Sequence, residues 1–240
     1  MLAYLQSNFI KIKKTSFLKV HILAALLFPL LLFLYWLQRG DIQGRTSLYS
    51  YFQLIGVLLP FASGIVNIQL KNLEEESGKY KYLLGYSKSN YKPFFAELIF
   101  QWLCYCIVLL ISITLFSSFL KIGGVTLYSR LLCLNIIVFI TLAFVTYIIN
   151  HIICYLFSTG VALGISMMGV IVAAFCETSL GEKVWYLIPW SWLLRISGAV
   201  FNQEEIVITQ IFTIIIISII MFLLHIRIFQ DWNQDRLTSS

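Results

Sequence analysis

The sequence predicts an all-α, polytopic membrane protein with six transmembrane helices, both termini on the cytoplasmic side, and an N-terminal amphipathic interfacial helix. Hydrophobic residues make up 60% of the 240 residues, whereas soluble domains are typically about 45–50% apolar. Charged residues make up only 12% and divide the chain into long uncharged stretches. A soluble fold would have to bury nearly every helix on all sides, which a chain of this length does not achieve.

The lengths of the uncharged stretches set the number of spans. The stretches that follow Lys19, Arg45, Glu97 and Glu205 contain 19, 25, 23 and 21 residues, and one bilayer span needs about 20. The stretch after Arg130 contains 46 residues. As one helix it would be roughly 70 Å long, so it must fold back once. We expect a single transmembrane domain, 1–240, with spans at about 19–37, 48–70, 94–120, 130–152, 158–176 and 206–229.

The distribution of basic residues sets the expected orientation. With the N-terminus inside, 11 of the 17 Lys and Arg residues fall on the cytoplasmic side and 6 on the outer side. The positive-inside rule therefore favours both termini inside. This topology also accounts for the net charge of +6, and it leaves no concentrated basic surface of the kind that binds nucleic acid.

The residues before the first span, 1–17, predict a helix that lies on the inner membrane surface. Their apolar residues recur at helical spacing, with the lysines largely on the other side, which is typical of an interfacial helix. A cleaved signal peptide is not predicted. The apolar run that follows is longer than the ~7–15 residues of a signal core, and no small-x-small site comes after it.

Three features of the predicted spans concern helix shape and contact. Pro29 and Pro60 predict kinks in the first and second spans. The fold-back of the longest stretch is expected between Asn150 and Gly160, where the polar breaks lie. The fifth span is rich in small residues, and Gly160-x-x-x-Gly164 is a pair that permits close helix contact.

The longest segment on the outer side, 177–205, connects the fifth and sixth spans. It holds Trp185, Trp190 and Trp192, and tryptophan sits favourably at headgroup depth. We expect short re-entrant or interfacial helices here rather than a free loop.

The sequence contains no pattern that predicts chemistry within the chain. It has no G-x-x-x-x-G-K-[ST] phosphate loop, no metal-ligand spacing and no G-x-S-x-G nucleophile. The five cysteines lie in or beside apolar stretches, which favours inert thiols. We therefore predict no catalytic, cofactor-binding or metal-ligating residue, and we do not expect an enzyme.

Polar residues within the predicted spans are few. No charged residue falls in the middle of a span, whereas ion-coupled transporters usually carry such residues. Asn67, Asn135 and Asn150 predict hydrogen bonds between helices. The three histidines, His21, His151 and His225, each lie near a predicted membrane edge, where we expect an interfacial imidazole.

A polar stretch on the inner side, 71–92, separates the second and third spans. It combines an acidic run, Glu74–Glu76, with Gly78 and an amphipathic stretch that includes Leu83 and Leu84. A short helix here would turn the leucines to one side and charge to the other. Two interpretations stay open: a solvated loop that carries positive-inside lysines, and a docking surface for a cytoplasmic partner.

The same stretch carries a resemblance to a known family. The sequence Glu74-Glu75-Glu76-Ser77-Gly78-Lys79-Tyr80-Lys81-Tyr82-Leu83-Leu84, followed by Ser87-Lys88 and a span, resembles the permease subunits of ABC-2 type transporters. It is most similar to those of lantibiotic (bacteriocin) self-immunity exporters. The N-terminal helix, the six spans, the chain length and Pro189-Trp190-Ser191 before the last span are similar too. The chain departs from the family at Asn90 and Glu97, where the family often has basic residues.

The resemblance implies ATP-driven export of an amphipathic antimicrobial peptide from a bacterial cell membrane. A second permease, the same chain or a related one, would share the complex with two cytoplasmic ATP-binding subunits, which would bind ATP and Mg²⁺ and hydrolyse the ATP. The coupling helix in contact with the ATPase would contain Glu74, Glu75, Glu76, Gly78, Tyr80, Leu83 and Leu84. Substrate contacts would come from the outer segment, at Trp185, Trp190, Trp192, Glu177 and Glu182.

Other interpretations stay open beside this one. The cargo of such a permease could be a drug, a lipid or another peptide. A different class of protein is a membrane scaffold or membrane enzyme, although no cluster of catalytic groups is found. For each outer tryptophan and glutamate taken alone, interfacial anchoring and solvated charge are the alternative roles.

Overall fold

The computed structural model describes residues 2–13, 15–40, 42–76 and 91–230. Over these ranges the regular structure is helical, without strands. The helices are α1 (Leu2–Ile12), α2 (Phe17–Arg39), α3 (Gly44–Glu76), α4 (Tyr91–Ile122), α5 (Ser129–Leu156), α6 (Thr159–Glu177), α7 (Trp192–Asn202) and α8 (Ile208–Gln230), with three 3₁₀ turns between α6 and α7. Six of them, α2 to α6 and α8, are long and apolar enough to cross a membrane. The predicted all-helical class with six spans is confirmed for the described chain, which is a multi-pass membrane protein.

The six long helices alternate in direction, so the bundle has two ends. The end that carries α1 also carries the last turn of α3, the start of α4 and the turn between α5 and α6; we call it the α1 end. The opposite end carries the 3₁₀ turns and α7; we call it the α7 end. The turn between α5 and α6 lies at residues 157–158, inside the predicted fold-back window. Which end faces the cytoplasm stays a prediction.

The helices pack into two groups around an aromatic centre. α2 packs mainly against α4, whereas α3 packs against α5, α6 and α7. The ring of Tyr51 stacks on that of Phe116 with centroids 4.8 Å apart, and the rings of Phe52 and Phe139 lie 5.0 Å apart. All four side chains are fully buried. These contacts join α3 to α4 and to α5 in the half of the bundle nearer the α7 end.

α3 is longer than the predicted second span. It contains 33 residues, roughly 50 Å at 1.5 Å per residue, and its last six residues, 71–76, were predicted to belong to the inner loop. At the other end of that loop, Tyr91 and Lys92 begin α4. Both ends of the predicted loop are therefore helical, and its remainder, 77–90, lies outside the described residues.

Helices α3 and α6 approach each other closely at Gly64. A Cβ atom added at Gly64 would collide with the side chain of Ser166, so the two helices approach each other at a distance that only glycine allows. The positions of Gly160 and Gly164 have open space around an added Cβ. Within the described chain, the Gly160-x-x-x-Gly164 pair therefore does not make the close contact that it permits.

Two of the three asparagines in the spans bond between helices, as predicted. The side-chain amide of Asn150 donates to the carbonyl of Pro60 at 2.7 Å, which joins α5 to α3 at the proline. The hydroxyl of Ser197 donates to the Asn135 side-chain oxygen at 2.7 Å, which joins α7 to α5. Asn67 instead donates to a carbonyl of its own helix.

The segment between α6 and α8 is built from the 3₁₀ turns and α7 and is fixed by two arginines. The Nε of Arg195 donates to the carbonyl of Cys176 at 2.6 Å, and its guanidinium also donates to the carbonyl of Thr178 at 2.8 Å. At the other end of α7, Arg45 of α3 donates to the carbonyl of Phe201. Short helices held by charged donors, rather than a free loop, therefore form this segment.

Candidate functional site

At the α1 end, the N-terminal helix is attached to the rest of the bundle. Ile12 is fully buried in the main apolar core, whereas Phe9 and Lys13 are exposed. The ammonium of Lys11 pairs with the carboxylate of Glu74 in the last turn of α3, and the Glu74 side chain is only 5% exposed. Lys11 therefore faces the protein.

Three of the predicted ATPase-contact residues lie in the last turn of α3. Glu74 is engaged by α1, the Glu75 carboxylate lies 3.7 Å from the Lys71 ammonium, and Glu76 is exposed. Lys71 also donates to the carbonyl of Phe157 at 3.2 Å, which ties α3 to the turn between α5 and α6. The end of α3 is thus held by α1 on one side and by the α5–α6 turn on another.

The other four predicted ATPase contacts, Gly78, Tyr80, Leu83 and Leu84, lie outside the described residues. The coupling helix that they would form stays a prediction. What the structure adds is the geometry of its starting point, since α3 leads directly into this segment.

The predicted substrate contacts at the α7 end differ in exposure. Trp192 is fully buried, and its indole nitrogen donates to the carbonyl of Tyr186 at 3.1 Å. Trp185 is 7% exposed and belongs to the same buried cluster. Trp190 is half-buried and packs against the backbone of α6 at Gly169. Trp185 and Trp192 therefore pack the segment from within.

The two predicted acidic contacts keep exposed surface. Glu182 is exposed. Glu177 is half-buried and accepts a long hydrogen bond of 3.5 Å from the hydroxyl of Tyr49. Its other carboxylate oxygen lies 4.0 Å from the Nε of Arg195. Glu177, Glu182 and the exposed part of Trp190 are the members of the predicted set that a ligand at this surface could reach.

A second polar site, absent from the sequence-based predictions, lies inside the bundle near the α1 end. Glu97 of α4 is 1% exposed, and its carboxylate accepts from the Tyr155 hydroxyl at 2.9 and 3.0 Å and from the Gln101 amide at 3.2 Å. The Nε2 of His151 lies 3.8 Å from the same carboxylate. The Nδ1 of His151 lies 3.2 Å from the Nε2 of His225. We call Glu97, His151 and His225 the buried triad.

An aromatic shell surrounds the buried triad. The ring of Phe229 lies 5.0 Å from that of His151 and 4.6 Å from that of His225. The rings of Phe94 and Phe229 lie 4.4 Å apart, tilted relative to each other. Both phenylalanines and both histidines are fully buried. The triad therefore lies in an apolar environment contributed by α4, α5 and α8.

This arrangement corrects the expected role of two histidines. His151 and His225 were expected to be interfacial imidazoles, but the structure buries both and places them in contact. Glu97 served in the sequence only as the boundary of an uncharged stretch and as a departure from the family pattern. The signal that could have found the site is the departure itself, an acidic residue one helical turn before Gln101 at the edge of an apolar run.

An apolar cavity of about 280 Å³ lies between α2 and the helices α3, α4 and α5. Phe28, Leu58, Leu109 and Tyr147 are among its lining residues. α2 and α3 are consecutive in sequence, yet they make few contacts with each other, because the cavity lies between them. Its lining suits an alkyl or aromatic group.

No protein family, curated protein or solved structure matches this chain. Within the described ranges, no three His, Cys, Asp or Glu side chains are placed to hold a metal ion.

Proposed function

We propose that this chain is the membrane-spanning permease subunit of an ATP-driven ABC exporter, with a lantibiotic or similar antimicrobial peptide as its cargo and self-immunity as its role. ATP and Mg²⁺ would bind to a separate cytoplasmic subunit, and a second permease, identical or related, would complete the membrane part. The complex would operate in a bacterial cell membrane.

The observation that carries the proposal is the order and attachment of the helices. A short N-terminal helix is followed by six apolar helices, with short helical turns and α7 inserted before the last. The N-terminal helix is paired through Lys11 with Glu74, where α3 leads into the predicted coupling segment. This order is the one that the resemblance to ABC-2 permeases implies.

The length of α3 offers a mechanical route from an ATPase to the membrane part. The helix is continuous from Gly44 to Glu76, so a displacement of the segment after Glu76 would move the whole rod. Pro60 lies near its middle, and the Pro60 carbonyl accepts from Asn150 of α5. Proline is a usual place for a helix to bend. ATP binding that favours one position of α3 would shift the population between two packings of the bundle.

Two features support an amphipathic cationic cargo. At the α7 end, Glu182 is exposed and Glu177 is half-buried, so carboxylates face the side where a cationic peptide would arrive. Between α2 and α3, the apolar cavity offers a place for hydrophobic side chains. These features suit a peptide with a charged face and an apolar face.

The proposal is tested by purifying the full chain from its own cells in mild detergent, beside a Glu75→Lys, Leu84→Asp double variant. A matched control carries the same two kinds of change at the α7 end, Leu180→Asp and Glu182→Lys, where Leu180 is 73% exposed. The readouts are co-purifying proteins, identified by mass spectrometry, and ATP turnover.

We expect an ATPase to accompany the wild type and the control variant and to be lost from the Glu75→Lys, Leu84→Asp variant. An ATPase retained by both variants would contradict the coupling-helix assignment. If no ATPase accompanies any of the three, the exporter assignment fails and a membrane scaffold takes its place.

A further inference from the structure

We propose that the buried triad of Glu97, His151 and His225 is a proton-binding site, which holds one exchangeable proton and thereby keeps α8 packed against α4 and α5. The ligand is a proton that reaches the triad from the α1 end of the bundle. The proposal is independent of the exporter assignment, because it concerns this chain alone and is tested without a partner.

The geometry of the triad gives the N–H hydrogens of both histidines and the hydroxyl hydrogen of Tyr155 an acceptor to face. If the Nε2–H of His225 donates to the Nδ1 of His151 across 3.2 Å, the other hydrogen of His151 is on Nε2 and faces the Glu97 carboxylate at 3.8 Å. The hydroxyl of Tyr155 also donates to this carboxylate. With both imidazoles neutral, the triad then carries one negative charge. A single added proton, on Glu97 or on the free nitrogen of His225, makes it neutral.

The charge balance favours the proton-loaded form. Glu97 is 1% exposed, and His151 and His225 are fully buried. An uncompensated charge in such an environment is expensive. Within the described chain, the only group at ion-pair distance from Glu97 is His151. Loading one proton therefore removes a buried charge that no other described side chain neutralises directly.

The charged and titratable groups on the neighbouring helices do not supply a cation in contact. Lys11 of α1 and Glu74 of α3 pair with each other. Lys71 of α3 is engaged with Glu75 and with a backbone carbonyl. On α4, Tyr91 presents its ring to His225 at 5.9 Å. On α5, Cys154 is buried, and on α8, Arg227 is exposed.

The attachment of α8 depends on this site. The buried residues of α8 are Ile214, His225 and Phe229, and two of these three belong to the triad or its aromatic shell. Loss of the proton would leave a negative charge in the apolar shell. If His225 and Phe229 moved away, water could reach and solvate that charge. The proton-free form should therefore loosen the last turns of α8 from α4 and α5.

The direct test is pH-difference infrared spectroscopy of the purified full chain in lipid nanodiscs. A protonated carboxylic acid and a carboxylate absorb infrared light in different regions of the spectrum. When Glu97 exchanges a proton, the absorbance therefore falls in one region and rises in the other. We expect this pair of changes in the wild type, its disappearance in Glu97→Gln, and a shift of its midpoint pH in His151→Gln. The control variant Glu177→Gln removes the half-buried carboxyl at the α7 end and should leave the signal unchanged. A wild-type signal that survives Glu97→Gln would overturn the proposal.

A second measurement covers the case in which the spectroscopic pair is too weak to resolve. Thermal unfolding of the wild type should lose stability as the pH rises, because the proton is released at high pH. Glu97→Gln removes the carboxyl that takes up the proton, so its stability should fall less than that of the wild type over the same pH range. Equal pH dependence of the two proteins overturns the proposal. Zn²⁺ that raises the unfolding temperature of the wild type but not of His225→Gln also overturns it, in favour of a metal site.

Discussion

Lys11 and Glu74 form an ion pair that joins the N-terminal helix to the last turn of α3. The two residues come from opposite sides of the first span in sequence, yet the pair lies where α3 leads into the predicted coupling segment. A partner that moves this segment would therefore move α1 as well as α3. In the proposed exporter, the pair would make α1 move together with α3.

Reversal of either charge in this pair should release α1. We expect Lys11→Glu and Glu74→Lys each to weaken its attachment by about 1.5–3 kcal/mol, the usual range for a hydrogen bond to a charged group. The double variant, with the charges exchanged, should recover most of the loss. The measurement is the rate of proteolytic cleavage within α1 in nanodiscs.

The control for this experiment is Lys13→Glu, since Lys13 is exposed and two residues away. If Lys11→Glu is cleaved no faster than Lys13→Glu, the ion pair does not hold α1.

The contact between Gly64 and Ser166 predicts opposite effects of the same substitution at two glycines. Gly64→Ala places a methyl group against the Ser166 side chain and should destabilise the protein by about 1–3 kcal/mol, as overpacking usually does. Gly164→Ala meets open space and should be neutral or stabilising by up to about 1 kcal/mol, because alanine favours helix more than glycine does. Thermal unfolding in detergent measures both.

Rescue identifies the cause of the Gly64 effect. Ser166→Gly removes the atoms that the new methyl group would meet, so it should restore stability to Gly64→Ala. A Gly64→Ala protein as stable as Gly164→Ala would show that α3 and α6 do not approach as described.

Arg195 should control access to Cys176 at the α7 end. Cys176 is fully buried, and Arg195 donates to its carbonyl and to that of Thr178. In Arg195→Met both charged donors are lost, and we expect alkylation of Cys176 to accelerate about tenfold or more. Peptide-resolved mass spectrometry separates this thiol from the exposed Cys133. Lys183→Met, a matched change at an exposed residue, should leave the rate unchanged, and equal acceleration in both variants would contradict the role of Arg195.

The excess of basic residues at the α1 end predicts that this end faces the cytoplasm. Lys13 and Glu182 are exposed at the two opposite ends and provide matched sites for labelling. In a Cys133→Ser parent, a membrane-impermeant maleimide applied to intact cells should label Glu182→Cys and not Lys13→Cys. After permeabilisation both should react. Labelling of Lys13→Cys in intact cells would reverse the orientation.

The helices that cross the membrane could be predicted because the bilayer imposes their length. A span needs about 20 apolar residues, so the positions of Lys19, Arg39, Arg45 and Lys71 already mark the membrane-length parts of α2 and α3. The fold-back at 157–158 followed from the same constraint, since no single helix of 46 residues fits. The prediction was wrong at 71–76, where α3 continues beyond the length of a membrane span. Hydropathy alone does not identify a helix that extends as a polar segment beyond the membrane.

Contacts between distant parts of the chain were not predictable in the same way. His151 and His225 are 74 residues apart in sequence, and nothing in local periodicity shows that they share a site. The spacing of small residues in α6 shows where a close approach is permitted, but which face meets α3 depends on the packing of the whole bundle. In the structure, the close approach to α3 is made at Ser166, which lies opposite Gly64, and not at Gly160 or Gly164.

The central claim, ATP-driven export of an antimicrobial peptide, is tested most directly by the amount of a fluorescently labelled lantibiotic that cells retain in their membranes. Bacteria that carry this chain and its co-purifying ATPase are compared with bacteria in which the ATP site of that ATPase is disabled. The account predicts less retained peptide, and greater survival, with the active pair. Equal retention in the two strains, with both proteins present in the membrane, would contradict it.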